Sequence, residues 1–371
     1  MRRAFALASY GQGSVSPNPV VGCVVVWQGM VIGEGFHHRC GQAHAEVNAI
    51  DSVLAPDAVV ARCTAETGKS PQELLRESTL YVTLEPCSHY GKQPPCAKKI
   101  IESGIPRVVM SCADPNPAVN GKGVRMLREA GVEVVEHFLE AEGRETGRRF
   151  FTNVEKKRPY VILKWAQTAD GFIAARKGTC TKITGAVLQV LNHSYRVQED
   201  AIMVGTGTLL SDNPRLDARL VQGRQPLRVG FDLRGRLLRQ VQDGNASAAS
   251  ALHFFDGTRE SMLFVDEEKA PEYAGLQAAV GNNLQICALK SPFTLYDCLA
   301  RLHARQVGSV IVEGGTELLR SFLRQGLWDE ARVFFSEKRL GGGYPAPELP
   351  AARRVSENRY GGERVVIYRN S

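Results

Sequence analysis

No apolar run in this 371-residue chain approaches the ~20 residues that a membrane-spanning helix requires, so a helical membrane protein is excluded. Aromatic residues make up 7% of the chain, with three tryptophans, and they form no stripe with basic residues of the kind that stacks the bases of a nucleic acid. Internal repeats and low-complexity tracts are missing too, which removes solenoid and tail-like architectures from consideration. The opening residues, MRRAFALASYGQG, hold two arginines and a short apolar stretch, but neither the hydrophobic core nor the small-residue cleavage site of a secretory leader. The nine cysteines, at 23, 40, 63, 87, 96, 112, 180, 287 and 298, are odd in number and irregularly scattered, unlike the disulfide framework of a short secreted chain. A reducing, cytoplasmic setting is expected, with most cysteines acting as small buried hydrophobes.

What is present is ordinary for a globular protein: 43% hydrophobic and 23% charged residues, with a mean hydropathy of −0.19. The length exceeds one domain of ~100–200 residues, and two are expected. A formal charge of +7 suits nucleic acid, a membrane surface or a phosphorylated small molecule, and composition does not separate the three.

Along the chain, residues 2–10 read as a helix, and 20–27 and 30–36 as strands joined by a hairpin at Gln28-Gly29. His44 opens a further helix. Residues 55–78, with Pro56, Gly68 and Pro71, resemble an insertion with room for one short helix. A strand at 79–84 runs into Glu85-Pro86-Cys87, and Pro94-Pro95 suits the start of a helix, since proline is tolerated in a first turn. Strands at 106–112 and 132–136 flank a helix near 121–130. The charge-rich stretch AEGRETGRRFFTNVEKKR follows, and within it 146–158 is expected as a linker. Beyond it, strands are expected at 159–166, 200–205, 226–232, 284–289, 308–313 and 330–336, with helices near 185–196, 293–305 and 316–325. Residues 233–283 read as irregular. Such alternation predicts an α/β fold in both halves.

The chemistry concentrates in His44-Ala45-Glu46 and Pro86-Cys87-Ser88-His89-Tyr90-Gly91-Lys92-Gln93-Pro94-Pro95-Cys96. One imidazole and two thiols leave the fourth tetrahedral position of a zinc ion open to a water whose pKa falls toward ~7. A non-ligand carboxylate, Glu46, can then shuttle protons between that water and a substrate. Zinc deaminases are built this way, and they exchange an amino group on a nitrogen heterocycle for a carbonyl oxygen. A helix start at His44, a strand end at Cys87 and a helix start at Cys96 would converge at the carboxyl edge of one sheet. Each residue alone is as readily structural; the four together are not.

The spacing between the cysteines, eight residues where Cys-x-x-Cys is common, narrows the identity. Residues 1–145 resemble the deaminase domain of the bifunctional riboflavin-biosynthesis deaminase–reductases, in Ser16-Pro17-Asn18-Pro19-Val20-Val21-Gly22, in both motifs above, and in Asp114-Pro115-Asn116-Pro117 with Asn120-Gly121-Lys122-Gly123. The resemblance implies a cytidine-deaminase-like three-layer domain with one zinc ion on His44, Cys87 and Cys96, and Glu46 as the proton carrier. Asn18 and Asn116 would read the pyrimidine ring or ribose, although asparagine between prolines is also ordinary turn chemistry. His89, Lys92 and Lys122 are candidate phosphate contacts, with solvated side chains as the competing reading.

Residues 159–371 resemble the reductase half of the same family, through Lys164-Trp165-Ala166-Gln167-Thr168-Ala169-Asp170-Gly171, Arg196, Gly205 to Leu216, and Glu313-Gly314-Gly315. The resemblance implies a dihydrofolate-reductase-like domain that uses NADPH. Cofactor contacts would fall on Ala166, Lys182, Thr208, Asp212 and Gly315, and substrate contacts on Cys180, Arg196, Leu216, Arg219 and Glu313. Gly314-Gly315 before a helix suits a phosphate, yet two glycines in such a turn are common without one. The chain departs from the family in Lys182 for a tryptophan, Cys180 for a serine, Leu233 for a small hydroxyl residue and Gln189 for an arginine. Those changes bear on the reductase. Asp170 is the family-position candidate for an acid in the hydride step, and an Asp-Gly pair is also a turn. The expected partner is a phosphorylated pyrimidine, with no nucleic acid or membrane, in a homo-oligomer. A deaminase with an inactive reductase, a nucleic-acid base deaminase and a binding module stapled by zinc remain as alternatives at this stage.

Overall fold

In the computed structural model of the chain, all residues are described except 56–57, 91–93, 118, 180, 244–251 and 371. Lys92 and Cys180 therefore lie outside the described residues. The rest separate into two compact units, Met1–Lys157 and Arg158–Ser371.

In the first unit, strands β1 (Gly22–Trp27), β2 (Met30–Phe36), β3 (Thr79–Leu84), β4 (Arg107–Cys112) and β5 (Glu133–Val135) form a sheet in the order β2-β1-β3-β4-β5. β1 is antiparallel to both neighbours, and β3, β4 and β5 are parallel. The β1–β2 hairpin turns at Gln28 and Gly29, both with positive φ (45° and 82°), the backbone that matches the twist of the flanking strands. Alternate residues of β1 face opposite ways: Cys23 and Val25 join the core with Ile50, Val53, Leu80 and Ile100, while Val24 packs on Ala4 and Leu7 of the helix Arg2–Ser9. Helices thus cover both faces, giving the expected three layers.

Two segments differ from the sequence reading. Residues 146–158 are mainly helical, not an open linker: Glu140–Thr146 and Arg148–Lys156 are helices, and Phe151 is buried against Leu84 and Cys112 with the Arg144 guanidinium 4.4 Å from its ring centroid. The charges belong to the outer face and mask a short apolar one. Residues 55–78 carry two helices, Ala58–Thr67 and Pro71–Leu75. The second begins with a reciprocal Ser70–Glu73 capping box and Pro71 in its first turn.

The second unit adds β6 (Tyr160–Gln167), β7 (Phe172–Ala174), β8 (Ala201–Met203), β9 (Leu227–Phe231), β10 (Ser261–Asp266), β11 (Leu284–Leu289), β12 (Ser309–Val312), β13 (Glu330–Phe335), β14 (Tyr344–Pro345), β15 (Ala352–Tyr360) and β16 (Glu363–Asn370). Its main sheet, in the order β11-β10-β9-β8-β12-β6-β13-β16-β15, is parallel from β11 to β13 and antiparallel from β13 through β16 to β15. Along β6, Val161, Leu163 and Trp165 face one core and Tyr160 and Ile162 the other, so both faces are covered. The stretch 233–283 is more ordered than its composition suggests, with helices Arg236–Asp243 and Ala274–Val280 on either side of β10. A six-residue run such as SMLFVD has no period that tells strand from buried helix.

The first unit's site depends on a close seat. The helix Ala45–Leu54 lies so near β2 that a Cβ on Gly35 would stand 2.4 Å from the Ala49 nitrogen and 2.5 Å from the Ala45 carbonyl oxygen. That contact fixes the position of His44, the residue capping the helix. The Gly35→Ala variant should lose about 1–3 kcal/mol of stability through overpacking and bind zinc more weakly. Thermal melting and metal content of the purified variant check both; an unchanged melting point and full zinc content would contradict the seating.

Candidate active sites

His44 precedes the helix Ala45–Leu54, Cys87 follows β3, and Cys96 opens the helix Cys96–Glu102. Their ligand atoms all lie within 4.8 Å of one another. The His44 Nδ1 is 3.2 Å from the Cys96 Sγ and 3.6 Å from the Cys87 Sγ. Zinc bonds of ~2.0 Å to nitrogen and ~2.3 Å to sulfur at tetrahedral angles put N and S ~3.6 Å apart, so these atoms need little movement to hold the ion. The Cys96 backbone N–H donates to the Cys87 sulfur at 3.3 Å, and hydrogen bonds from the Cys96 thiol and from His44 hold the Cys87 thiol far below its usual range. Two sulfurs and an imidazole form a donor set that suits zinc, and three donors leave the fourth position of a tetrahedral ion free.

Glu46 lies in the first turn of the same helix and is 3% exposed. Burial, and then the negative charge of Cys87, raise its carboxyl to about 7, against the opposing pull of His44. A carboxyl at that value can hold or release a proton near neutrality.

Asn18 reaches this corner through a residue the sequence reading passed over. His37 is buried, with its ring centroid 5.2 Å from that of His44. Its Nδ1 faces the Ala43 carbonyl oxygen at 3.1 Å, so Nε2 accepts from the Asn18 amide, also at 3.1 Å. The contact engages one Asn18 N–H and leaves its Oδ1 unengaged by it. In sequence, His37 sits in the pair His37-His38 with no motif around it that signals this contact. Asn116 is exposed, with its backbone N–H donating to Asp114 Oδ1 at 2.8 Å, and the charge of Cys87 acts on Asp114. His89 and Lys122 are exposed.

In the second unit a cavity of about 1210 Å³ is lined by all five expected cofactor residues, Ala166, Lys182, Thr208, Asp212 and Gly315, and by Glu313. Gly314 and Gly315 have φ of 115° and 71°, and a Cβ on either would approach the Thr208 Oγ1 to 3.4 Å. The Thr316 hydroxyl, first in the helix Thr316–Arg324, is buried with no partner among the described residues. Bare backbone, a helix N-terminus and an unengaged hydroxyl suit the phosphates of a dinucleotide. Of the three departures from the family pattern that are described, Lys182 and Leu233 line the same space and Gln189 does not; Arg234 and Arg236 line it too.

Substrate candidates divide differently. The Arg196 guanidinium donates to both Glu313 oxygens at 2.8 Å and to the Asp217 carbonyl oxygen at 2.6 Å, so much of it is engaged within the protein and it does not line the cavity. Leu216 is a core residue with φ of 52°, and Arg219 pairs with Asp217. Neither lines the cavity. Asp170 accepts from the Thr168 hydroxyl at 2.6 Å and from the Leu340 and Gly341 backbone N–H groups, which makes it a turn residue. The cavity instead offers Lys164, whose Nζ lies 3.9 Å from Glu313 and 4.6 Å from the centroid of Phe334. Burial lowers its ammonium pKa against the pull of Glu313. Its motif was visible in the sequence, but its burial was not.

Burial alone would raise the Glu313 carboxyl, but Arg196 and Lys164 outweigh it and hold the value at about 2. A depressed carboxyl stabilises the fold above its unfolded value, and that contribution is lost as pH falls from about 4.5 toward 2. Glu313→Gln should therefore cost about 3–5 kcal/mol at neutral pH by stranding Arg196, and the deficit should shrink over that acid window. Denaturant titrations at several pH values check this; a deficit constant with pH would contradict it.

The first unit thus has the anatomy of a hydrolytic zinc deaminase, and the second that of a reductase using a pyridine dinucleotide. Comparison with known proteins agrees. Residues 1–112 match the model of the cytidine and deoxycytidylate deaminase zinc-binding region, and residues 159–357 that of the RibD C-terminal domain. The riboflavin biosynthesis protein RibD of Aquifex aeolicus is 37% identical over 96% of this chain and 91% of its own length, and that of Actinobacillus pleuropneumoniae 38% identical over 92% and 84%. A Thermotoga maritima structure described as a diaminohydroxyphosphoribosylaminopyrimidine deaminase/5-amino-6-(5-phosphoribosylamino)uracil reductase aligns with a TM-score of 0.82 and 38% identity, covering 100% of this chain and 97% of that one. The chain belongs to the RibD family of riboflavin biosynthesis proteins.

Proposed function

We propose that the chain is a bifunctional enzyme that hydrolytically deaminates 2,5-diamino-6-ribosylamino-4(3H)-pyrimidinone 5′-phosphate and then reduces the ribosyl side chain of the product to ribityl. The observation that carries it is the pairing, in one chain, of an open His/Cys/Cys set beside a buried carboxyl with a large cavity built around a phosphate cradle. Zinc, when bound, acidifies a water for attack on the amino-bearing carbon, and NADPH, when bound, supplies hydride. His44, Cys87 and Cys96 hold the metal. Glu46 takes a proton from the attacking water and returns it to the departing ammonia, a role that suits a buried carboxyl beside the metal ligands but not among them. Asn18, oriented by His37, and Asn116 read the pyrimidine or ribose.

In the reductase unit, Thr208 and the Gly314–Thr316 turn cradle the cofactor phosphates, and Ala166 leaves room beside its ring. Lys182 faces the cavity where the family carries a tryptophan, exchanging stacking area for a charge that a phosphate can pair with. Lys164, destabilised as an ammonium by burial, is the group placed to give a proton as the opened sugar is reduced, with Glu313 holding it. Arg219 remains a candidate for the substrate phosphate. Arg196 contributes by orienting Glu313. No helix among the described residues is long and apolar enough to cross a membrane, and we place the enzyme in the cytoplasm as a homo-oligomer.

A stepwise assay with the diamino substrate, following ammonia and NADPH separately, tests the two halves. Glu46→Gln should abolish ammonia release, by at least ~100-fold, with zinc still bound and NADPH oxidation on the deaminated product intact. A chelator should act the same way on the first step and spare the second. Zinc lost along with activity in Glu46→Gln would make the metal a structural staple, and ammonia release without any NADPH consumption would leave only the deaminase.

A further inference from the structure

Glu85 directly follows β3, two residues before Cys87, and is 4% exposed. Its Oε2 accepts from the backbone N–H groups of Asp114 at 3.3 Å and Gly121 at 3.1 Å, and its Oε1 from those of Gly123 at 3.0 Å and Val124 at 3.4 Å. Gly123 and Val124 lie in the first turn of the helix Lys122–Glu129, where backbone N–H groups have no intrahelical acceptor. One carboxylate therefore satisfies that helix start and the far end of the loop before it, gripping 114–124 at both ends. Charge-assisted bonds of this kind are stronger than neutral ones.

A second observation ties the loop to the residue next to the metal ligand Cys87. Gly123 lies so close to the Pro86 carbonyl that a Cβ there would stand 1.9 Å from its oxygen. The Glu85 backbone N–H also donates to the Cys112 carbonyl oxygen at 2.9 Å, anchoring the carboxylate's own strand end on β4. Asp114 is one gripped end, and just inside it stands Asn116, whose backbone N–H donates to the Asp114 Oδ1 at 2.8 Å.

We propose that Glu85 is a positioning residue for the deamination: its carboxylate locks segment 114–124 to the strand end that carries Cys87, and so sets where Asn116 meets the substrate relative to the metal. This rests on the reading of Asn116 as a substrate contact. Glu85 neither ligates the metal nor transfers a proton. Its removal should weaken the assembly of the bound substrate and leave the chemistry of the substrate once bound.

The test is steady-state ammonia release by the zinc-loaded full chain, with metal content and amide hydrogen exchange measured on the same samples. Glu85→Ala should raise KM ~10-fold or more, with kcat within about twofold and one zinc per chain, and should speed exchange at Gly121, Gly123 and Val124. Glu85→Gln, which keeps one accepting oxygen, should fall between. Gly123→Ala, which pushes the loop off Pro86 with Glu85 intact, should give the same KM signature and serves if Glu85→Ala does not fold. In an Asn116→Ala background, Glu85→Ala should change KM by less than about twofold, because the two act on one contact. Loss of zinc, a fall in kcat at unchanged KM, unchanged exchange, or KM effects that multiply would each overturn the proposal. If Asn116→Ala alone leaves KM unchanged, the reading of Asn116 falls instead, and the clamp stands if Glu85→Ala still raises KM and falls if it does not.

Discussion

Two thiols, an imidazole and a carboxyl share one largely buried corner of the first unit, an arrangement that a bound cation stabilises. Without one, Cys87 becomes a thiolate by borrowing hydrogen bonds from its neighbours, Cys96 is driven up, and Glu46 is pushed to about 7. A divalent metal removes the conflict by holding both sulfurs as thiolates. Much of the surrounding fold answers that requirement. The flat seat of Ala45–Leu54 on Gly35 presents His44, the strand end at Leu84 delivers Glu85 and Cys87, and the Pro94-Pro95 entry starts a helix at Cys96.

The second unit solves a different problem, the burial of a charged cluster beside a large cavity. Glu313 is held as an anion by Arg196, Lys164 and Asn192, all from strands and helices of the core. Arg196 and Lys164 hold the Glu313 carboxyl low, whereas the Lys164 ammonium is weakened by burial against the opposing pull of Glu313. Groups whose protonation is pulled from the ordinary range beside a cavity are what a proton-coupled reduction needs.

How much of this was legible in the sequence varied with the physics involved. His44, Glu46, Cys87 and Cys96 were readable because zinc chemistry restricts residue types and their flanking turns, and the hairpin at Gln28-Gly29 because its backbone admits few residues. The cofactor set fell in one cavity because glycines and threonines at a strand-to-helix turn carry local constraints. Arg196 misled, since a guanidinium reads alike in sequence whether it awaits a phosphate or is engaged by a buried carboxylate. His37, Lys164 and Glu85 were beyond reach for the converse reason: their meaning lies in burial and in contacts made with distant segments. The helix at 148–156 was hidden by charges on its outer face, β10 by a short apolar run with no telling period, and the β15–β16 hairpin by the polar residues of a largely exposed edge strand.

A metal position left open next to Glu46 is what separates a hydrolytic site from a structural one. X-ray absorption at the zinc edge of the purified protein measures it most directly. One zinc per chain with two sulfurs at ~2.3 Å and two nitrogen or oxygen ligands near ~2.0 Å, unchanged in number when Glu46 is replaced by Gln, is the expected result. A coordination shell that loses an oxygen in that variant, or one with more than two sulfurs, would mean a closed structural site and contradict the deaminase.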